Sequence, residues 1–310
     1  MLISHIIPAF NASSTVRQTL ESVFLDTLPA DWKVEAIVVD DGSTDGGVLS
    51  EIVAQFECAQ LVVHPENKGM CAARNSGIEL SKGDIVTILD SDDELIKGWS
   101  LVLASIIKVW PPDTNICYAA CKNLSGQVTA EDPNYNGYLT LNDLLNERYS
   151  GEYIPLFRGD YVRSKPYIDL GIRKSCGIVS YMNWARDAPF WVENKVLRIY
   201  NDTHIGSISR DWTSPQKAFE TALCYKALFN KFGDLYIDEA FNAFRIKNLK
   251  LAVYLKLSGA GGAFGAFLDG VSTSHIKESF MTFLLLILPV SLTCTIIKFI
   301  KSHGYIRRYG

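Results

Sequence analysis

Three carboxylates stand within four residues at Asp90-Ser91-Asp92-Asp93, directly after the apolar run Ile85–Leu89. Charges of one sign that close together repel, and a divalent cation relieves the repulsion. Hard oxygen ligands without cysteine suit Mg²⁺ or Mn²⁺, ions that also take phosphate oxygens. The plainer alternative is a solvated acidic turn that caps the next helix. A second cluster, Asp40-Asp41-Gly42-Ser43-x-Asp45, closes the run Val34–Val39. Gly42 permits a tight turn and Asp45 suits a helix cap, while a carboxylate here would accept the N–H of a uracil or thymine, or ribose hydroxyls. Asn67-Lys68-Gly69, followed by Arg74 and Asn75, sets cations and amides at a helix start, a suitable seat for a diphosphate.

These residues act together only if the fold gathers them. Leu2–Ile7, Val34–Val39, Leu61–Val63 and Ile85–Leu89 are short apolar runs and read as strands. Between them Thr15–Leu28, Val48–Phe56 and Gly69–Leu80 carry apolar residues at helical spacing, with Ser13 or Ser14 as the first N-cap. Such alternation predicts an α/β fold, a mostly parallel sheet flanked by helices on both faces. Ligands of such sheets bind at the carboxyl ends of the strands. The polar clusters Pro8–Asn11, Asp40–Asp45 and Asp90–Asp93 all follow strands, so they converge on one edge. From about Cys121 to Tyr153 the chain is loop-rich, and Ser214–Lys231 then reads as a helix with Pro215 in its first turn.

The chain has 310 residues, 48% of them hydrophobic and 21% charged, enough to bury a full core. A net charge of −4 excludes the basic footprint of a nucleic-acid binder. Seven cysteines without a C-x-x-C pair exclude a zinc set and fit a reducing compartment. No basic stretch precedes the first apolar run, so no secretory signal is expected.

Four segments in order, Ile7-Pro8-Ala9-Phe10-Asn11, Val39-Asp40-Asp41-Gly42-Ser43-Thr44-Asp45, Asn67-Lys68-Gly69 with Ala73-Arg74-Asn75-x-Gly77, and Leu89-Asp90-Ser91-Asp92-Asp93, resemble the family 2 glycosyltransferases of GT-A fold. The resemblance implies roles for matching positions. Pro8, Phe10 and Asp41 would line the nucleoside pocket, and Arg74 would contact base or phosphate. Asp90 or Asp92 would hold the ribose and help order the metal. Asp93 would ligate Mn²⁺ or Mg²⁺ directly, with Asp92 as the alternative ligand.

The second half resembles the family more loosely. Its acidic Glu-Asp pair has a counterpart in Ala185-Arg186-Asp187-Ala188-Pro189-Phe190-Trp191, where Arg186 replaces the glutamate. That makes Asp187 the expected general base and Glu193 the fallback, against a reading of Asp187 as the cap of a helix starting at Pro189. Tyr200-x-x-x-His204-x-x-Ser207-x-Ser209-Arg210 resembles the family's C-terminal His–Ser segment. There His204 would join the metal and Ser207, Ser209 and Arg210 the diphosphate.

The implied reaction is inverting, metal-dependent transfer from a nucleotide-diphosphate sugar, a UDP-sugar favoured, to a hydroxyl of a glycan or lipid-linked saccharide. A non-catalytic nucleotide-sugar-binding relative is the alternative. A sugar nucleotidyltransferase is disfavoured, because Pro8–Ser14 offers neither glycine nor cation to a triphosphate. The expected divisions are a nucleotide-sugar half at 1–120, an acceptor and base half at 121–250, and a C-terminal helical segment at 251–310.

Phe280–Ile297 contains no charged residue, yet Pro289 interrupts it and Lys298, Lys301, Arg307 and Arg308 follow. Nucleotide sugars are cytosolic, so a single span would carry that basic tail outward, against the usual charge bias. The expectation is a kinked, membrane-associated anchor on the cytoplasmic side, with its basic tail on anionic headgroups.

Overall fold

A computed structural model of the chain describes residues 1–202 and 214–302. It divides into two compact units, Met1–Leu141 with Tyr149–Ile205, and Asn142–Arg148 with Gly206–Gly310. The helix expected at Ser214–Lys231 falls in the second unit, with the C-terminal helices.

Along the first unit run β1 (Leu2–Ala9), α1 (Val16–Phe24), β2 (Lys33–Asp40), α2 (Gly46–Val53), β3 (Ala59–Val63), α3 (Met70–Leu80), β4 (Ile85–Ile88) and β5 (Glu94–Leu95). Then come α4 (Trp99–Ile107), β6 (Ile116–Asn123), β7 (Gly137–Leu139), the short α5 (Leu141–Leu145) at the unit boundary, β8 (Tyr153–Arg158), α6 (Gly159–Ser164), α7 (Gly177–Ala185) and β9 (Phe190–Tyr200). The sheet order is β3-β2-β1-β4-β8-β6-β9-β5, with β7 also beside β9.

The strands β3, β2, β1 and β4 are mutually parallel, as the alternation of strand and helix requires. Beyond β4 the sheet is mixed: β8 runs antiparallel to both β4 and β6, while β6 and β9 are parallel. The connection from β6 to β8 carries β7 and the five-residue α5 rather than a full crossover helix, and the chain returns antiparallel.

Residues on one face of α1 make it a helix. Val16, Leu20 and Val23 are fully buried against Ile3 and Ile7 of β1, each such side chain contributing about 1.5–3 kcal/mol. The helix stops at Phe24, earlier than expected, and its N-cap is Thr15 without a side-chain cap. Helix α3 lies close on β1 because Gly77 has no side chain; a Cβ there would stand 2.3 Å from Ile6 Cγ2. Strand register then levels the tips, pairing Ala9 with Asp40 across β1 and β2 and Ile6 with Ile88 across β1 and β4.

The second unit holds α8 (Pro215–Glu239), α9 (Phe241–Ser258), α10 (Ala263–Gly270), α11 (Ile276–Ile287) and α12 (Val290–Ser302). Ser214 caps α8 through Lys217 N at 3.3 Å, with Pro215 in the first turn as expected. The uncharged stretch is not one helix. Leu288, before Pro289, is extended at φ −74°, ψ 155°, which ends α11 and starts α12 afresh. Lys256 Nζ donates to the freed carbonyls Leu285 O at 2.8 Å and Leu286 O at 2.5 Å, and also to Leu288 O. No helix among the described residues is long and apolar enough to cross a membrane. Phe264, Ile276, Phe280, Ile287 and Phe299 are exposed on α10–α12.

Candidate functional site

The loops after β1 and β2 are sewn together. Asn11, at φ 52°, donates its N–H to Ser43 Oγ (2.8 Å) and accepts from Thr44 N (2.9 Å) through Oδ1. Asp40 Oδ1 accepts from Ser43 N at 2.9 Å. Asp45 does not cap its own helix; its Oδ2 accepts from Ser13 N at 3.0 Å and ties the first loop to the second. Phe10 is exposed after the end of β1, and Pro8, within β1, is half-buried.

Asp41 is buried and its carboxylate is occupied. Oδ1 accepts from Lys68 N (2.9 Å) and lies 2.7 Å from His64 Nδ1, and Oδ2 accepts from Gly69 N at 2.8 Å. His64 Nε2 meets Ser76 Oγ at 2.9 Å, which anchors the arrangement on α3. Two glycines make it possible. Gly42 has φ +74° and its Cβ would stand 2.5 Å from Glu66 C. Gly69, at φ +98°, passes so near Ile172 O that a Cβ would lie 2.1 Å away. The visible work of Asp41 is thus to hold the Lys68-Gly69 loop at the start of α3.

The acidic turn closes on itself, Asp93 N donating to Asp90 O at 3.1 Å. Asp90 lies between two guanidiniums: Arg74 Nη2 is 3.5 Å from Oδ1 and Arg198 Nη1 is 3.8 Å from Oδ2. Arg74 also donates to Ser175 Oγ at 3.2 Å and lies over the Tyr167 ring. Asp93 is 1% exposed; Oδ1 accepts from Asn201 N at 2.8 Å, and Oδ2 is 3.1 Å from Arg198 Nη1 without a hydrogen bond aligned to it. Burial pushes the Asp93 carboxyl up to about 7, against the pull of Arg198. Asp92, between them in the turn, is half-buried.

Arg198 and Glu152 belong to this cluster and carry no signal in the sequence. The Arg198 side chain is 4% exposed, with Nη2 3.6 Å from Glu152 Oε2 and Nε 3.1 Å from Cys121 Sγ. Burial opposes its charge, yet Cys121, Asp93, Asp90 and Glu152 hold it protonated. Glu152, just before β8, is 34% exposed, and burial raises its carboxyl above the ordinary range. Nothing in the run Leu197-Arg198-Ile199-Tyr200 announces a buried cation. The pairing of β9 with β6, Arg198 opposite Cys121, and with β5, Arg198 opposite Leu95, brings it under the turn.

Among the described residues no three His, Cys, Asp or Glu side chains converge as a metal cage. Asp92 and Asp93 nevertheless suit an ion that takes one or two carboxylates and completes its shell with phosphate oxygens, as Mg²⁺ does. Asp93 Oδ2, buried without a hydrogen bond, is the oxygen that fits it. His204, Ser207, Ser209 and Arg210 lie outside the described residues.

Asp187 is not at this edge, which corrects its reading as general base. No helix starts at Pro189; β9 does, at Phe190, so the capping role falls too. Helix α7 begins beside Arg74, where Ser175 sits, and its nine residues carry the chain about 13 Å away. Asp187 ends there, accepting from Tyr161 Oη at 2.7 Å and paired with Lys165 Nζ. Tyr161 lies on α6, whose Gly159 N bonds Asp84 O just before β4, whereas Asp90 follows β4. The two carboxylates thus occupy opposite edges of the sheet. The fallback, Glu193, is paired with Lys195 at 3.2 Å and accepts from Trp191 Nε1.

With this geometry in hand, comparison with known proteins is specific. The family described as glycosyl transferase family 2 matches residues 4–142. Part of the chain is 39% identical over 101 residues to glycosyltransferase AglE of Haloferax volcanii, covering 31% of this chain and 32% of that protein. Another match, an uncharacterized glycosyltransferase of Haemophilus influenzae, is 38% identical over 94 residues, 30% of this chain and 36% of the relative. The matched segment thus spans about a third of the length of these relatives. Among solved structures, S. aureus TarS 1–349 in complex with UDP-GlcNAc aligns at TM-score 0.59 and 16% identity, over 91% of this chain and 79% of that one. A mannosyltransferase, PcManGT from Pyrobaculum calidifontis in complex with GDP-Man and Mn²⁺, aligns at 0.56 and 16%, over 99% and 81%.

Proposed function

We propose that this chain, whose residues 4–142 are a family 2 glycosyltransferase domain on a GT-A fold, transfers a sugar from a nucleotide-diphosphate donor to a hydroxyl of a glycan or lipid-linked saccharide. The observation that carries the reading is the position of Arg74 and Arg198 on either side of Asp90, at the carboxyl edge where the β1, β2 and β4 loops meet. Cations among carboxylates at that edge suit a ligand that brings both phosphate and a metal. A UDP-sugar is the donor proposed first, in keeping with TarS, solved with UDP-GlcNAc.

Phe10 and Pro8 would wall the base, and Arg74 would neutralise the diphosphate. Asp92 and Asp93 would hold Mn²⁺ or Mg²⁺, which when bound supplies Lewis-acid stabilisation of the leaving phosphate. Inverting transfer needs one further carboxylate to take the acceptor's hydroxyl proton. Glu152, partly exposed and facing the cluster, takes that role here in place of Asp187. Its raised pKa brings it nearer the operating pH, as a general base requires. The apolar residues exposed on α10–α12, with Lys277 and Lys298 in the same helices, suit the surface of a membrane on its cytoplasmic side, where a lipid-linked acceptor would be met.

The test is release of nucleoside diphosphate from a panel of nucleotide sugars with Mn²⁺, with and without saccharide acceptors. Acceptor-dependent release supports the enzyme. Donor-induced thermal stabilisation without release under any acceptor supports the non-catalytic alternative and overturns catalysis. For the membrane face, truncation after Lys277 should release the chain from the membrane fraction; unchanged pelleting refutes it.

A further inference from the structure

We infer that Arg198 is the resident counter-cation of the acidic turn: it holds Asp90, Asp93 and Glu152 together without a metal and competes with a divalent ion for Asp93. The inference deepens the donor-site reading above and concerns a positioning residue.

Every nitrogen of the Arg198 guanidinium stands near an acidic or polar atom, and Nε and Nη2 donate hydrogen bonds while Nη1 is held by charge alone. Nη1 lies 3.1 Å from Asp93 Oδ2 and 3.8 Å from Asp90 Oδ2, Nη2 lies 3.6 Å from Glu152 Oε2 and 3.4 Å from Tyr153 O, and Nε lies 3.1 Å from Cys121 Sγ. The Tyr200 ring faces the guanidinium at 5.6 Å. Cation and acids are mutually required, because removing one partner of a buried pair leaves the other uncompensated. The repulsion expected among these carboxylates is therefore relieved inside the protein.

The geometry also makes the arginine a rival of the metal. Asp93 Oδ1 is committed to Asn201 N at 2.8 Å, which leaves Oδ2 for an ion, and Arg198 already stands on Oδ2. A cation ligated by Oδ2 would approach the guanidinium with little intervening solvent, a repulsion that bound diphosphate, by adding negative charge, offsets. Metal binding thus becomes contingent on nucleotide. The planar fork matters, since it reaches three carboxylates at once; a lysine supplies the charge at one point only.

The experiment uses the full-length chain and two readouts that need no transfer: free Mn²⁺ by electron paramagnetic resonance, and melting temperature in EDTA or Mn²⁺. Wild type should bind Mn²⁺ poorly without nucleotide, and Mn²⁺ alone should scarcely change its melting. Arg198→Gln should melt lower in EDTA, bind Mn²⁺ at least about tenfold tighter without nucleotide, and regain most of the lost melting temperature in Mn²⁺. Arg198→Lys should fall between the two. If Arg198→Gln is too unstable to purify, Arg198→Gln/Asp93→Asn should recover stability, because the uncompensated carboxylate is gone. Unchanged Mn²⁺ affinity in the variants, or a melting loss that neither Mn²⁺ nor the Asp93 change restores, overturns the inference. A chain that never transfers sugar but shows these Mn²⁺ effects would sink the enzyme reading and leave Arg198 in its role.

Discussion

Asp41→Ala separates two roles that one carboxylate could have, holding a loop or reading a base. In the structure it satisfies Lys68 N and Gly69 N and meets His64 Nδ1. Alanine leaves two largely enclosed amides unpaired at about 1–3 kcal/mol each, so a loss of about 3–5 kcal/mol is expected once the His64 contact is counted. Against a total of about 5–15 kcal/mol that is a large fraction of stability. It corresponds to about 6–20 °C in melting temperature for a unit of this size. Asp41→Asn keeps the shape and one acceptor but turns an NH₂ toward an N–H, and should cost about 1–3 kcal/mol. Urea unfolding followed by tryptophan fluorescence reads both through a lowered midpoint at constant slope. Nucleotide affinity should weaken only in parallel, as the start of α3 loosens. A normal urea midpoint combined with lost nucleotide binding would refute this reasoning and return Asp41 to the base pocket.

Gly69→Ala should destabilise by more than about 2 kcal/mol, because positive φ and the approach to Ile172 O both exclude a Cβ; a wild-type midpoint would deny that the loop is this tight. His5 is fully buried beside Trp99 with neither ring nitrogen bonded, and burial pushes its pKa from 6.5 down to about 3. The unfolded chain thus takes up a proton below pH 6.5 that the folded one refuses. Stability falls as pH drops from about 6.5 toward 3, by at most about 1.4 kcal/mol per unit. His5→Phe should flatten that slope, and an equally steep acid profile would exclude His5 as its source. Although its slight burial works the other way, Lys165 and Tyr161 hold the Asp187 carboxyl below its ordinary range, a partly exposed pairing worth little. Asp187→Asn should therefore leave turnover near wild type, while Glu152→Gln should lower it about 10²–10⁴-fold with donor binding retained; the reverse pattern would restore Asp187 as base.

What the sequence disclosed and what it hid follow from the range over which each signal acts. The tips of β1, β2 and β4 were legible because apolar runs end abruptly in Asn, Gly and Asp, whose turn chemistry is local. Parallel order followed from helices between strands, and it holds only as far as β4, beyond which β5 and β8 run antiparallel to their neighbours. Asp187 was misplaced because proximity in sequence to an aromatic run does not say which end of α7 it occupies, and a helix of nine residues is long enough to change edges. Arg198 and Glu152 escaped notice for the opposite reason. They lie 108 and 62 residues from Asp90 and meet it only after β9 and β8 join the sheet. A carboxylate cluster read alone therefore suggests a missing cation, and the inference to a metal was sound for the turn in isolation. Once the far strands are in place, part of that charge is already balanced by Arg198, so on the inference above any affinity of the turn for a divalent ion would depend on β9 as much as on its own carboxylates.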